Sequence, residues 1–394
     1  MNERAIAKSR VGRSIRRSRR PLAALTMVVA VAAAAGCSLS GGGAGTGDGP
    51  LVLVTHDSFA LSEGVLDGFT AQTGVDVEVR SSGDAGRLAS ELVLTKGDPL
   101  GDVAFGIDNT FASRVIGQGV FEPYVSPAAQ DGAQDYAVPG SDELTAVDYG
   151  DVCLNIDTGW FERHGITAPA SIADLTRPEY KDLTVVENPA TSSPGLAFLL
   201  ATIVTQSGGP GQAAAPAEPD KPAEPDAPER AEESAQDGGW QEYWRALRGN
   251  GLKVVDGWTQ AYTVEFSGSS GDGPRPIVVS YASSPPAEAG ADGSAPPTRA
   301  LADSCFRQVE YAGVLSGTDR PEAARELVDF LLSPAVQQDL PGQMYVFPVQ
   351  RGTPLPPVFA EYAAQPAHVL SMDPARIGAH RDAWIRQWRD IVLG

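Results

Sequence analysis

Short apolar runs alternate with stretches of helical periodicity through the first part of the chain. The runs predict buried strands at 51–54, 75–79 and 102–107. Between the first two, Val65, Leu66 and Phe69 recur at the spacing of an apolar helix face. Strands separated by helices predict right-handed βαβ units and a parallel sheet, in which ligands bind outside the carboxyl ends of strands. The polar residues that follow these strands are therefore candidate ligand contacts, namely His56, Asp57, Ser58, Asp84, Asp108 and Asn109.

The pattern repeats in a second group of predicted strands, at 183–186, 253–255 and 277–280. Polar and aromatic residues again follow the strands: Ser192, Ser193, Gly195, Trp258, Tyr262, Tyr281 and Ser283. The turn 191–195 precedes an apolar helix at 196–204, whose free backbone N–H groups would bind a phosphate or a carboxylate. The alternative is that the turn only caps the helix. The folded part of roughly 340 residues exceeds what one core usually supports, so we expect two lobes.

Three segments are rich in Pro, Ala, Gly or acidic residues and lack apolar periodicity: 206–239, 267–276 and 286–297. Such composition predicts disordered surface insertions, of which the first is the longest. Packed structure returns in the last third. Ala324, Leu327, Val328 and Leu331 share one face of a predicted helix, and Ile377, Trp384, Trp388 and Ile391 share a face of another. We interpret both stripes, including the two tryptophans, as packing residues.

The N-terminal region has the pattern of an export signal. Eight basic residues precede an apolar run at 22–35, which is too short to span a bilayer. The run ends in Ala34-Ala35-Gly36-Cys37, which resembles a bacterial lipobox, and Ser18-Arg19-Arg20 also fits a twin-arginine signal. We predict a lipoprotein signal peptide at 1–36, lipidation of Cys37 and a flexible tether at 37–50. The alternative is a leader cleaved beside an incidental cysteine.

The formal net charge of the chain is −20, and removal of the leader, with its eight basic residues and one acidic residue, changes it to −27. This acidity argues against nucleic acid or anionic lipid as a partner and is compatible with a cationic ligand. Solvated surface residues account for most of the charge. The sequence has four histidines and lacks G-x-S-x-G, Walker A, H-E-x-x-H and C-x-x-C motifs. We therefore expect a protein without catalytic activity, cofactor or metal.

Two cysteines remain besides Cys37, namely Cys153 and Cys305. In an oxidising compartment two such thiols usually pair, and closing a loop of about 150 residues would stabilise the fold by roughly 4 to 5 kcal/mol. We expect a disulfide. Two buried free thiols are the alternative, and metal binding is less favoured because the sequence places none of the four histidines near either cysteine.

At the predicted strand ends the sequence resembles the thiamine-binding periplasmic proteins of ABC importers, a branch of the type II solute-binding family. The matching pieces are 55–60, 106–109, 148–150, 188–196, 257–262, 280–285, 308–310, 347–349 and 383–388. They extend over about 51 to 390, interrupted by the three insertions. Their order and spacing carry the resemblance.

The resemblance implies an α/β fold of two lobes, each a mostly parallel sheet flanked by helices, joined by crossover hinge strands. It divides the chain into lobe one (51–148 with about 308–345), lobe two (about 149–307) and a C-terminal helical segment (346–394) that completes the lobes. The crossings lie after Tyr149 and around 306–310, which would make Cys153 and Cys305 neighbours on adjacent hinge strands.

The resemblance also implies partners and a location. The chain would act as a monomer, deliver its ligand to an ABC permease with its ATPase, and contact the outer face of the cell membrane through its lipid anchor alone. Polyamines, ferric iron and other small organic molecules are alternative ligands in the same fold. A secreted enzyme or a structural lipoprotein is a more remote alternative.

Thiamine or a thiamine phosphate would require three kinds of contact. Its flat cationic rings need aromatic faces, for which the candidates are Trp258, Tyr262, Tyr281 and Tyr345. Its amino group and charge need carboxylates from Asp57, Asp84 or Asp108, each of which could instead be a helix N-cap. Its tail would meet Ser192, Ser193, Gly195 and Ser283 or Ser284 at the predicted helix start. The family has Trp where Tyr345 stands and commonly Tyr at the position of His56; Ser58, Asn109 and Tyr149 complete the predicted site.

Overall fold

The computed structural model describes residues 49–206, 239–269 and 273–394. The predicted signal peptide, the lipidation site Cys37, nearly all of the tether and the insertion over 207–238 lie outside the described residues. Within the described part of the chain, none of the helices combines the length and the apolar character needed to cross a bilayer.

Nine strands of the described chain form one mixed sheet. They are β1 (Leu51–Thr55), β2 (Val77–Ser81), β3 (Val103–Asp108), β4 (Thr145–Asp157), β5 (Thr184–Glu187), β6 (Lys253–Val255), β7 (Ile277–Tyr281), β8 (Thr298–Val314) and β9 (Phe347–Pro348). Their order is β2-β1-β3-β8-β4-β7-β5-β6, and β9 pairs with β4. The group β1, β2, β3 is parallel, and so is the group β5, β6, β7. The long strands β4 and β8 pair antiparallel with each other and cross between the two groups.

Helices and short helical turns connect the strands. The helices are α1 (Val65–Thr73), α2 (Ala85–Leu94), α3 (Ala112–Val115), α4 (Thr158–His164), α5 (Ser193–Gln206), α6 (Gly239–Gly249), α7 (Trp258–Gln260), α8 (Pro321–Leu331), α9 (Pro334–Gln343), α10 (Pro357–Tyr362) and α11 (Pro374–Val392). The turns are Pro127–Asp131, Ala133–Tyr136, Ile172–Thr176, Pro178–Tyr180, Ala261–Glu265 and Pro285–Glu288. These elements give the two-lobed α/β arrangement that was predicted, while the residue boundaries of the lobes stay a prediction.

The predicted strands lie within two residues of the observed ones. The largest difference is at β2, which begins at Val77 where the apolar pattern predicts a start at residue 75. β2 is an edge strand with mostly exposed side chains, so the apolar pattern constrains it weakly. Its start is set by pairing with β1, where Leu51 lies opposite Val77.

The two predicted apolar helix stripes are buried. On α8, Ala324, Leu327, Val328 and Leu331 pack against the first parallel group. On α11, Trp388 is fully buried and its ring meets that of Trp244 edge to face, at a centroid distance of 5.6 Å. Trp384 is partly buried against the same core. The interpretation of these tryptophans as packing residues is confirmed.

A disulfide joins Cys153 on β4 to Cys305 on β8, with 4.4 Å between their Cα atoms. The predicted pairing is therefore confirmed, and the two buried free thiols are excluded as the alternative. Since β4 and β8 are the strands that cross between the lobes, the covalent link lies at the hinge.

Two short segments that were predicted to be disordered are structured in part, which corrects that prediction. Pro285 and Pro286 are buried, and Pro285–Glu288 forms a helical turn. The Ser267 N–H donates to the Arg275 carbonyl at 2.9 Å. Proline fits the first turn of a helix because its missing N–H has no intrahelical acceptor there. Composition alone does not reveal this tertiary burial.

Candidate functional site

A cavity of about 180 Å³ lies where elements of the two parallel groups meet the crossing strand β8. Its lining residues are His56, Ser58, Trp258, Tyr262, Thr263, Ser269, Tyr281, Glu288, Glu310, Gln343, Met344, Tyr345 and Val346. Six of the predicted ligand contacts are among them: His56, Ser58, Trp258, Tyr262, Tyr281 and Tyr345. The cavity therefore combines aromatic rings with carboxylates and one imidazole.

Four rings, from Trp258, Tyr262, Tyr281 and Tyr345, form what we call the aromatic wall. The rings of Trp258 and Tyr262 stack at 5.0 Å with an interplanar angle of 11°. Those of Tyr281 and Tyr345 lie 6.3 and 6.2 Å from Trp258. The Trp258 Nε1–H donates to the Ser280 hydroxyl at 2.9 Å, which fixes the orientation of the indole. Such a wall presents aromatic faces to a flat or cationic ligand.

Local backbone geometry places Tyr345 in this wall. Its φ angle is 58°, in the left-handed region that a residue with a Cβ rarely adopts. The Ser283 hydroxyl donates to the Tyr345 carbonyl and so holds the turn. Residues in such conformations cluster at ligand sites, where the surrounding structure fixes them.

Glu288 lies beside the aromatic wall. The Tyr262 hydroxyl donates to its Oε1 at 3.0 Å. Burial raises the pKa of Glu288 above its usual range, and the hydrogen bond from Tyr262 opposes that rise. Burial also raises the pKa of Tyr262 and Tyr281 well above 10, so both phenols stay protonated near neutral pH. The aromatic wall thus keeps one protonation state across the physiological range.

His56 and Glu310 also line the cavity, and we call this pair the charged wall. The His56 Nε2 lies 3.3 Å from Glu310 Oε1, and its Nδ1 lies 3.0 Å from the Ser58 hydroxyl. His56 follows β1, and its ring packs over Gly106 of β3. A Cβ at Gly106 would lie 2.0 Å from His56 Cδ2, and the φ of 98° also favours glycine there. Gly106 therefore permits the imidazole to reach Glu310.

Opposing effects act on the charge of His56. Burial lowers its pKa, whereas the charge and hydrogen bond of Glu310 and the charges of Asp84 and Asp57 raise it. The net result is a pKa above the usual value near 6.5. His56 is therefore a proton-binding group inside the cavity wall.

Glu310 also belongs to a buried acidic cluster with Asp108 and Asp148, which lie on the two strands next to β8. Glu310 of β8 lies opposite Asp108 of β3 and opposite Asp148 of β4. Burial raises the pKa of Asp108 to about 7, Thr110 opposes the rise and the charge of Glu310 adds to it. Burial and Glu310 likewise raise the pKa of Asp148 well above its usual range. Asp108 and Asp148 therefore bind their protons more tightly than exposed aspartates do.

Asp84 connects the two sides of the cleft. Its side chain accepts a hydrogen bond from the Ala85 N–H at the start of α2 and another from the Trp258 N–H at 3.0 Å. Next to it, the Gly86 N–H donates to the Thr191 carbonyl at 2.8 Å. Asp84 is thus an N-cap and also a direct contact to the backbone of the aromatic wall.

The sequence profile described as "Bacterial extracellular solute-binding protein" matches residues 98–376. The chain belongs to this family. The thiamine-binding periplasmic protein of Escherichia coli (strain K12) is 27% identical over 352 residues, which cover 87% of this chain and 93% of that protein. The thiamine-binding periplasmic protein of Salmonella typhimurium (strain LT2) is 26% identical over 354 residues, which cover 87% and 93% of the two chains.

A solved structure named periplasmic thiamin binding protein has a TM-score of 0.69 to this solute-binding protein, at 24% identity, covering 88% of this chain and 98% of that one. The predicted type II fold is thereby confirmed. Its relatives are binding proteins and not enzymes, as expected for an ABC importer component.

Other predicted contacts of the solute-binding protein do not line the cavity. Asp57 is exposed. The Asn109 side chain makes two hydrogen bonds to the backbone of β8. Its amide nitrogen donates to the Arg307 carbonyl, and its amide oxygen accepts from the Val309 N–H. The remaining members are buried, apart from Tyr149, which is partly buried and stacks on Tyr136; they are Asp84, Asp108, Tyr149, Ser192, Ser193, Gly195 and Ser283. Their roles in ligand binding stay predictions.

Two carboxylates of the cavity were not predicted as ligand contacts. Glu310 belongs to one of the matching pieces, but Arg307 and Gln308 precede it in the same strand, so the local pattern does not single it out as a buried acid. Glu288 lies in the segment 286–297, whose composition predicted disorder. For that reason Glu288 was not considered as a ligand contact. Tertiary packing places both Glu288 and Glu310 in the cavity lining.

Proposed function

We propose that this solute-binding protein captures thiamine or a thiamine phosphate between its two lobes and delivers it to an ABC permease. The observation that carries the proposal is the pairing of the aromatic wall with carboxylates in one cavity. The stacked Trp258 and Tyr262 offer a flat face, and Glu310 and Glu288 offer negative charge. A cationic heteroaromatic ring needs both.

The relatives support the same class of ligand. The curated proteins at 24% to 27% identity over most of the chain are named as thiamine-binding. The fold itself does not select a ligand, since iron-bound HitA from Pseudomonas aeruginosa has a TM-score of 0.60 at 17% identity, covering 87% of this chain and 99% of that one. The choice of ligand therefore rests on the residues of the cavity.

The proposal includes the place where the protein acts. The export signal and the lipobox at Cys37 would tether a monomeric chain to the outer face of the cell membrane, near its permease and ATPase. Mass spectrometry of the membrane-associated protein tests this part. A diacylglyceryl group on Cys37 as the new N-terminus is expected, and an unmodified N-terminus elsewhere would contradict the anchor.

Polyamines are the second candidate ligand, because Glu288 and Glu310 beside aromatic rings also suit an aliphatic polycation. A polyamine does not need the stacked pair of Trp258 and Tyr262 to bind a planar ring. The two candidates therefore differ in how strongly they depend on the aromatic wall.

Titration of the chain from Gly41 onward, followed by tryptophan fluorescence, tests the proposal. Thiamine, its monophosphate and its diphosphate are the test ligands, with spermidine and ferric citrate as comparisons. We expect saturable quenching by thiamine compounds, because Trp258 lines the cavity, and loss of that signal in Trp258→Phe. Binding of spermidine or ferric citrate without binding of any thiamine compound would overturn the ligand and leave the fold assignment intact.

A further inference from the structure

Two segments that line the cavity are connected to each other by side chains of the same lobe. The first is the loop between β1 and α1, residues 56–64, which we call the cavity loop; it carries His56 and Ser58. The second is the end of α9, where Gln343 lines the cavity and Tyr345 of the aromatic wall follows two residues later. The position of the cavity loop relative to α9 therefore sets the positions of these lining residues.

Asp339, one turn before the end of α9, makes the connection. Its carboxylate accepts two hydrogen bonds from Ser62 of the cavity loop, one from the backbone N–H at 2.6 Å and one from the hydroxyl at 2.6 Å. The Gln343 side-chain amide donates to the oxygen of the same hydroxyl at 3.0 Å. Hydrogen bonds to a carboxylate are shorter and stronger than those between neutral groups. We call Asp339, Ser62 and Gln343 the clasp.

The cavity loop needs such a connection because it is neither helix nor strand. In its middle the Phe59 ring lies 5.2 Å from the Phe105 ring of β3. Towards its end the Ser62 carbonyl accepts a hydrogen bond from the Val65 N–H, at the first residue of α1. Ser62 is thus held by α1 through its carbonyl and by α9 through its N–H and hydroxyl. A loop that is ordered before the ligand arrives does not have to be ordered at the expense of affinity.

We infer that Asp339 is a positioning residue for ligand binding, which acts through Ser62 and Gln343. In the described structure neither Asp339 nor Ser62 lines the cavity. The carboxylate of Asp339 instead holds the cavity loop against α9, so that His56 and Ser58 already lie in the lining of the free protein. The inference rests on the proposed function and adds to it a residue outside the cavity.

Asp339→Ala tests the inference by calorimetric titration with thiamine and by amide hydrogen exchange of the ligand-free chain. Thiamine binding should weaken by about tenfold, because the ligand then has to order the loop. Peptides that cover 56–64 should exchange about fivefold faster or more, because the clasp no longer opposes local opening. Unchanged affinity in this variant, in a protein whose wild type binds thiamine, would overturn the inference and leave the proposed function in place. A wild type that bound no thiamine compound would remove the proposed function, and the inference with it.

Asp329→Ala is the matched control. Asp329 lies on α8, also in lobe one, and accepts a hydrogen bond from the Tyr124 hydroxyl at 2.7 Å, but it does not line the cavity. This variant loses the same kind of hydrogen bond and should keep the wild-type affinity and the wild-type exchange of the cavity loop. An equal loss of affinity in Asp329→Ala would assign the effect to general stability and overturn the inference.

Ser62→Ala tests whether Asp339 acts through the clasp, and it remains informative if Asp339→Ala folds poorly. The single variant keeps the backbone N–H bond and should weaken thiamine binding by about threefold. The double variant of Ser62 and Asp339 to alanine should bind within about twofold of Asp339→Ala, because both substitutions break one clasp. Asp339→Asn, which keeps one acceptor oxygen, should bind within about threefold of wild type. Losses that multiply in the double variant would show independent effects and overturn the route through Ser62.

Discussion

The aromatic wall and the charged wall line one cavity, and they respond differently to protons. In the aromatic wall, burial keeps the tyrosine hydroxyls protonated, so its attraction for a ring does not change near neutral pH. In the charged wall the pKa of His56 is raised above its usual value, and on the strand next to Glu310 burial raises the pKa of Asp108 to about 7. Ring stacking on the ligand and the charge around the ligand can therefore be changed separately, by substitutions in the aromatic wall and in the charged wall. Substitutions in one wall should alter affinity at every pH, and substitutions in the other should alter its pH dependence.

The largest effect is expected from removing the link between the crossing strands, which leaves both walls in place. Cys153 and Cys305 are 152 residues apart and do not line the cavity. The double substitution to alanine should lower the free energy of unfolding by about 2 to 5 kcal/mol, because the unfolded chain regains a long open loop. Urea denaturation measures it. Thiamine affinity should change less than threefold, and unchanged stability would contradict a stabilising disulfide.

The next effect concerns the acidic cluster and folding stability. The pKa of Asp108 is about 7 in the folded protein, above the unfolded value near 3.9. The native state therefore binds the extra proton between these values, and the contribution of Asp108 to stability falls as pH rises from 4 to above 7. Asp108→Asn removes this fall and should stabilise the protein at pH 8 by on the order of 2 to 4 kcal/mol relative to wild type.

Urea denaturation at pH 4.5 and pH 8 measures this difference. The variant should gain little at pH 4.5, where both side chains are largely neutral. Asp98→Asn, on the surface, is the matched control and should show no such gain. If Asp108→Asn is less stable than wild type at pH 8, the ionised Asp108 carboxylate stabilises the fold. That result would contradict the raised pKa of Asp108.

A third substitution removes the centre of the aromatic wall. Trp258→Ala should weaken thiamine binding by about 30- to 150-fold, equivalent to about 2 to 3 kcal/mol, and leave the fold intact. Calorimetric titration at pH 6 and pH 8.5 should give the same loss at both values. Trp160, which stacks on His164 away from the cavity, supplies the control Trp160→Ala. Unchanged affinity in Trp258→Ala would remove this residue from the site.

The smallest effect separates the charged wall from the aromatic one. The protonated His56 competes with a cationic ligand for Glu310, and Asp84 and Asp57 also favour its protonation. Thiamine affinity should therefore increase as pH rises through the pKa of His56, which lies above the usual 6.5. Loss of the Asp108 proton acts in the same direction, since it makes the site more negative. Phosphate-free buffers at pH 6 and pH 8.5 are the conditions for comparison.

In wild type the increase between these pH values should be about tenfold, equivalent to one pKa unit of coupling. His56→Gln should reduce it to about threefold, because Asp108 still titrates. His164→Gln, an exposed histidine of α4, is the control and should keep the full increase. A wild-type slope in His56→Gln would assign the pH dependence to the acidic cluster alone.

Local sequence patterns were sufficient for the six strands of the two parallel groups and for most of the aromatic wall, whereas the crossing strands β4 and β8 were expected only from the family resemblance. Trp258 and Tyr281 were found because they lie at or just beyond the ends of predicted strands, where parallel sheets place ligand contacts. Apolar periodicity located the strands within two residues. Apolar periodicity and position after a strand both depend on residues that are close in the chain. A single sequence is therefore enough to identify them.

The charged wall depends on distant pairing, which the patterns did not reveal. Glu310 lies inside a 17-residue strand and faces His56 only through the register of β8 with β3. Conversely, Ser192 and Ser193 occupy the predicted strand end but are covered by contacts between Gly86 and Thr191. A polar residue at a strand end is therefore a candidate whose access to the ligand is decided by tertiary packing.

A crystal structure of the chain from Gly41 onward with thiamine bound tests the central claim most directly. The account predicts the ring system between the two walls, with the thiazolium within about 6 Å of the Trp258 ring centroid and on the side facing Glu310. Thiamine bound outside this cavity, or bound with its hydroxyethyl tail against Glu310 and its rings away from Trp258, would contradict it.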